Sequence, residues 1–397
     1  MTLLERLRAS IPEGRALELV KAMVAIPSYN PPGNEMSMAK FVNDVMHKAG
    51  CQSALQQTES GRFNVIARLP GNGLGGTIIF NTHMDVVPAG EGWVTDPLAV
   101  SMREERIYGR GVMDAKGSLA SMMAAIEALA RSGHKFEHDI VLAAVADEEG
   151  ASIGAHSLPD FIDAKFAVVG ESTNGDIALS HRGSLRPVLV AEGITAHSAR
   201  PELGVNAINL MARVLTALET YAKEVVAKRV HPYSGQSTLT VTVIQGGLKE
   251  SMVPDRCEAV IDRRLIPGEN KQSALDEMMA VIDQVPGAKG HVRIDRFIPT
   301  TGDASEIDSR HSVVSLLAQA IHHVYGREPE YTGLTCNCDM SYFMGQGIPT
   351  AIYGPGDFAA AHMANEWIEL SELEKATWVY AAIVLQSEGK LEITEGD

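Results

Sequence analysis

Apolar residues fall in two rhythms along this chain, and their order changes near residue 183. Before that point, segments with apolar positions three and four apart alternate with unbroken apolar runs. Residues 16–26 (ALELVKAMVAI), 36–50 (MSMAKFVNDVMHKAG) and 118–133 (SLASMMAAIEALARSG) carry the helical spacing, the last stopping at Gly133. Residues 76–85 (GTIIFNTHMD), 139–147 (DIVLAAVAD) and 164–172 (AKFAVVGES) read as strands with little alternation. Strands without alternation are buried on both faces, which predicts a mostly parallel sheet covered by helices on both sides.

Beyond residue 183 the order becomes strand, helix, strand, strand, helix, strand. The segments are 184–194, 204–225, 237–247, 257–266, 270–285 and 291–299. That is the split βαβ arrangement of a small α+β domain. Helix and strand then alternate again, at 311–326 and 348–356. The expected fold is therefore an α/β domain, residues 1–181 and 299–397, interrupted by an inserted βαββαβ domain at 182–298.

Length agrees, since 397 residues are too many for one hydrophobic core. No apolar run approaches a membrane span. The start, MTLLERLRASIPEGR, is charged throughout, so no secretory signal is expected. Only four cysteines (51, 257, 336 and 338) are present, which fits a reducing compartment and makes a cytoplasmic location the expectation. A net charge of −16 argues against nucleic acid or an anionic membrane surface as partner. A solvated acidic surface accounts for most of that charge. Carboxylates clustered around metal cations would neutralise part of it.

The chemistry is concentrated where the apolar runs end. His83 and Asp85 share a face at the end of one strand, so the Asp is able to fix the tautomer of a metal-binding His; a structural pair reads the same way. Asp114, in YGRGVMDAKG, sits between a Gly-rich turn and a helix, as a helix cap or as a carboxylate bridging two metals. The run VLAAVADEEG ends in Asp147, Glu148 and Glu149. Buried, these acids need a cation; otherwise they form a solvated turn. On a regular strand Glu148 and Glu149 face opposite ways, so both serve one site only if the chain turns, which Gly150 and Ala151 permit. Glu171 ends another apolar run, and His362 follows a strand and a Gly-Pro turn. A mixed set of His and carboxylates without thiolate suits zinc, manganese or cobalt in a catalytic site. One shared carboxylate would give each of two metals three protein ligands, a dinuclear hydrolytic arrangement.

Taken in order, THMDVVP, GRGVMDAKG, ADEEG, GES, AHSARPELGVNAI, DRRL and YGPG…AHMANE make the chain resemble a known family. It is that of the dinuclear-zinc amidohydrolases and exopeptidases, which includes acetylornithine deacetylase, succinyl-diaminopimelate desuccinylase, aminoacylase and glutamate carboxypeptidase. The likeness spans essentially the whole chain and is closest to the first two. It implies that His83, Asp114 and Glu171 hold one metal and that Asp114, Glu149 and His362 hold the other, with Asp114 bridging. It implies Asp85 as the residue orienting His83, Glu148 as general base and acid, and a cis bond between Asp114 and Ala115. In the inserted domain it implies His197 as the stabiliser of the tetrahedral intermediate, often from the other subunit of a homodimer. It also implies Arg264 as partner of a substrate carboxylate, with Arg263 the alternative, and Asn206 as a substrate-binding residue.

The implied activity is hydrolysis of a small N-acylated amino acid by water activated on two divalent metals, zinc first, cobalt or manganese otherwise. A metallo-carboxypeptidase or dipeptidase is the alternative. A non-catalytic binding homologue is more remote, because all seven matched core positions are present. One departure stands out: the family's N-x-V-P reads SMVP here, and the Ser251 hydroxyl cannot replace both donor and acceptor of an amide. Cys336 and Cys338 lack a second thiol pair and read as packing near Asp339.

Overall fold

The unbroken apolar runs form the centre of a nine-stranded sheet. The structure, a computed structural model, describes residues 1–391. They separate into two units, residues 1–180, 306–334 and 338 onward in the first and residues 181–305 and 335–337 in the second.

In chain order the first strands of this sheet are β1 (Gln52–Gln57), β2 (Phe63–Leu69), β3 (Thr77–His83), β4 (Asp139–Val145), β5 (Ala164–Val169) and β6 (Ile177–His181). Across the sheet they run β1-β2-β4-β3-β5, then Thr350–Ile352, then β6. β4, β3, β5 and Thr350–Ile352 are mutually parallel, with Ile79 opposite Val141 and Ala167. The pairs β1–β2 and β2–β4, and Thr350–Ile352 with β6, are antiparallel.

Burial explains the sequence pattern. All seven residues of β3 and of β4 are buried, so neither strand has a solvent face for polar alternation to mark. The helix Lys116–Arg131 is buried at every position from Lys116 to Leu129 because it packs against both Arg15–Val24 and Leu370–Ser387. Phe80 of β3 meets Tyr380 edge-on at 5.3 Å, a packing whose truncation to Ala costs about 3–5 kcal/mol. β1 has no counterpart in the apolar periodicity: QSALQQ is half exposed, as the edge strand of the sheet.

The second unit has the order βαββαβ. Strands Thr238–Gly246, Arg256–Leu265, Gly183–Glu192 and Val292–Ile298 lie in that spatial order, all antiparallel. Leu210, Met211, Val214 and Leu218 of helix Ala207–Glu224 and Met278 and Ile282 of helix Lys271–Asp283 close a core over Leu189, Ala259 and Ile261. Residues 300–304 stay with this unit: Thr300 Oγ1 donates to the Ser184 carbonyl at 2.9 Å and the Ser184 amide to Gly302 at 2.9 Å. Among the described residues no helix is long and apolar enough to cross a membrane.

Candidate metal centre

His83 ends β3, the Glu148–Glu149 pair follows β4, and Glu171 follows β5. Asp114 sits in the turn before helix Lys116–Arg131, and His362 follows the short turn Phe358–Ala360. Ligands of open α/β sheets collect at such carboxyl ends of parallel strands.

Two groups of donor atoms form there. In His83, Asp114 and Glu171, and again in Asp114, Glu149 and His362, the donor atoms all lie within 4.8 Å of one another. Asp114 belongs to both. Its Oδ1 is 3.0 Å from His83 Nε2 and its Oδ2 is 3.3 Å from His362 Nε2, so its two oxygens face two different histidines. His362 Nε2 also lies 3.0 Å from a Glu149 oxygen, and His83 Nε2 lies 3.9 Å from Glu171. These separations bracket the edge of about 3.3 Å expected between ligands of a tetrahedral zinc ion. His83 is fully buried, whereas His362 is 52% exposed, so the site opens on the His362 side.

The charges fit cations too. Burial disfavours a charged His83, yet its hydrogen bond to Asp114 and the nearby carboxylate of Asp85 outweigh it and hold the ring well above the usual histidine range. Hydrogen bonds to Asp114 and Glu149 raise His362 to about 10. Burial opposes an ionised Asp114, but His362 and His83 hold it well below the usual carboxylate range. Burial pushes Glu148, Glu149 and Glu171 up, and neighbouring carboxylates add to it. A divalent ion held by these atoms would displace the protons they otherwise carry.

The chain enters its turn at Asp147, before the glutamates, and the turn runs on through Gly150 and Ala151. Asp147 has φ +70°. The amides of Glu148 and Glu149 then both point back to Asp85, at 3.1 and 3.2 Å. Glu149 thereby joins the second group, while Glu148, its neighbour, belongs to neither. Asp85 does this work with its carboxylate; His83 Nδ1 instead meets the Asp85 backbone carbonyl at 2.9 Å, with the nearer carboxylate oxygen at 3.7 Å.

Glu366, four residues after His362, frames Asp114 in a way that the sequence pattern does not single out. Its Oε1 accepts from the amides of Met113 and Asp114, at 2.9 and 3.1 Å. Its Oε2 accepts from Arg110 at 2.7 Å and from the Gly111 amide at 3.1 Å. Arg110 also donates to the His362 carbonyl at 3.4 Å, tying the two loops together. The one signal for it in the sequence is a carboxylate in AHMANE within one loop of a ligand candidate. The Asp114–Ala115 bond is cis, as the resemblance implies.

Matching a family model over residues 79–386 identifies peptidase family M20/M25/M40. The chain belongs to that family. The acetylornithine deacetylase of Proteus mirabilis is 28% identical over 374 residues, covering 90% of this chain and 93% of that one. A probable succinyl-diaminopimelate desuccinylase of Staphylococcus epidermidis is 25% identical, covering 89% and 92%. The crystal structure of aminopeptidase PepT from Bacillus cereus superposes with a TM-score of 0.77 at 22% identity, covering 96% of this chain and 100% of that chain, a likeness of fold.

The remaining residues named from the family resemblance lie in the second unit. His197 is exposed and pairs with Met252 in a two-residue ladder. Its Nδ1 accepts from the Ala199 amide at 3.1 Å, which leaves Nε2 as the proton-bearing nitrogen of the neutral ring. Ser251 contributes its carbonyl, which accepts from the Ser198 amide at 3.0 Å. Asn206 caps helix Ala207–Glu224, its side chain accepting from the Asn209 amide at 3.0 Å. Arg263 is 2% exposed and tied to Glu269 and Ser237. Arg264 faces the other way, half-buried, with Asp262 at 2.7 Å and Asn337 at 2.9 Å. All four cysteines are thiols, none joined in a disulfide.

Proposed function

We propose that this family member hydrolyses the amide bond of a small N-acylated amino acid in a dinuclear metal site. His83, Asp114 and Glu171 hold one divalent ion, and Asp114, Glu149 and His362 hold the other. Zinc is the first choice, because the donors are imidazole and carboxylate at tetrahedral spacing. Two bound ions supply an acidified water and an electrophilic partner for the scissile carbonyl. The observation that carries the reading is Asp114, whose two oxygens each meet a different histidine.

Glu148 is the base and later the acid. It sits beside both groups, and burial together with Glu171, Asp339 and Glu149 raises its proton affinity against the pull of His83. A carboxylate so tuned takes a proton from the attacking water and returns it to the leaving nitrogen. His197 is assigned from the resemblance as the oxyanion donor, through Nε2, and Arg264 as the partner of the substrate carboxylate. Arg263 is left to its ion pair with Glu269. A cytoplasmic homodimer formed through the second unit completes the reading.

A panel of N-acetyl and N-succinyl amino acids beside di- and tripeptides, with zinc or cobalt added, tests it. Turnover of the acylated amino acids is expected. Turnover confined to peptides would reject the deacylase reading in favour of a peptidase. Absence of bound metal together with absence of turnover would favour a non-catalytic binding protein.

A further inference from the structure

The turn that aims Glu148 and Glu149 rests on residues the proposed reaction does not use. Asp147 is 4% exposed. One of its carboxylate oxygens accepts from the amides of Ala151 and Ile153, at 3.2 and 3.4 Å, and its carbonyl accepts from those of Gly150 and Ser152. Gly150 is required by this folding back, since a Cβ there would lie 2.6 Å from Asp147 Oδ1. Asp147 and Asp85 between them therefore tie down every amide from Glu148 to Ile153.

Both carboxylates are held from behind. Asn30 Nδ2 donates to Asp85 at 2.8 Å and to Asp147 at 2.9 Å. The Arg62 guanidinium pairs with Asp147, lies 3.9 Å from Asp85, and forks onto Glu35 through Nε at 3.1 Å and a second nitrogen. Glu35 is 1% exposed and Asp85 fully buried, so Arg62 is the cation among three buried carboxylates. Gly33, at φ +87°, lies against the guanidinium, where a Cβ would come within 2.6 Å of Cζ. Asn30, Gly33 and Glu35 all belong to one stretch, SYNPPGNE, far from the glutamates in sequence.

We infer that Arg62, seated on Glu35, is a positioning residue that sets where Glu148 and Glu149 stand, acting through Asp147 and Asp85 with Asn30. The N-terminal stretch 28–35 is thereby part of the hydrolytic apparatus. The inference rests on the reading of Glu148 as base and Glu149 as ligand. A guanidinium suits the task because a planar fork holds two carboxylates at fixed angles, which a lysine ammonium does not.

The test compares Arg62→Met, Arg62→Lys and Glu35→Gln with the unaltered chain. Backbone amide exchange is followed in metal-free protein, and kcat and KM are measured with zinc restored. For Arg62→Met we expect protection at Glu148 and Glu149 to fall about 10-fold while Val141–Val145 keeps its own, and kcat to fall roughly 10–100-fold with KM within about 3-fold. Arg62→Lys and Glu35→Gln recover part of both and stand in if Arg62→Met does not fold. Unchanged exchange and kcat in Arg62→Met would overturn the inference, and so would a raised KM at constant kcat, the signature of a substrate contact. If the unaltered chain hydrolyses no amide, the functional reading fails and the exchange comparison alone decides the role of Arg62.

Discussion

Replacing Glu366 by Gln tests the frame that fixes Asp114. Each carboxylate oxygen accepts two donors: Oε1 from Met113 and Asp114, Oε2 from Arg110 and Gly111. Converting either oxygen to an amide nitrogen sets donors against donors and leaves the Arg110 guanidinium, 1% exposed, without its counter-ion. Breaking a buried ion pair from one side costs roughly 3–5 kcal/mol, and a buried amide left unsatisfied about 1–3 kcal/mol more. Relaxation of the loop offsets part of this, so about 4 kcal/mol is the working figure. At roughly 2 °C per kcal/mol for a unit of this size, the transition of metal-free protein should fall by about 8 °C in calorimetry. Arg110→Met combined with Glu366→Leu removes both charges together and should cost less than the sum of the separate substitutions. A fall below about 2 °C for Glu366→Gln would refute the reasoning.

Glu148→Gln should lower turnover by about 10²–10⁴-fold while bound zinc per chain stays the same; near-normal turnover with zinc bound would remove Glu148 from its role. His181 gives a pH prediction. Burial lowers it from 6.5 to about 4, so between those values the unfolded chain takes up a proton that the folded chain refuses. Its contribution to stability is complete above pH 6.5 and is lost as pH falls toward 4, by up to about 3 kcal/mol. Urea unfolding of metal-free protein across that range should converge on His181→Gln as pH drops, and parallel curves would contradict it.

What was legible in the sequence is what local pattern can carry. The ends of β3, β4 and β5 are visible as apolar runs stopping at His83, Asp147 and Glu171, so His83, Glu149 and Glu171 can be gathered as ligand candidates from the order of residues alone, while Asp114 and His362 come from the Gly-rich and Gly-Pro turns before them. The long helix Ala207–Glu224 and the βαββαβ order follow from periodicity in the same way. The turn is different. Gly150 invites one and lies within it, but the reversal begins at Asp147, whose carboxylate and carbonyl together take four amides of its own loop once Arg62 and Asn30 hold the side chain. Those holding contacts span 85 and 117 residues, and that of Glu366 to Arg110 spans 256, so no spacing rule points to them. The pair Arg263 and Arg264 shows the same limit: alternation says that they face opposite ways, and only the register opposite Leu185 and Ser184 says which is buried.

The central claim is that Asp114 bridges two metal ions, and counting zinc per chain in Asp114→Asn tests it most directly. Elemental analysis of protein saturated with zinc and freed of excess should find two ions in the unaltered chain, one in Glu149→Gln or Glu171→Gln, and neither retained in Asp114→Asn. Two ions retained in Asp114→Asn, or only one in the unaltered chain, would contradict the dinuclear site.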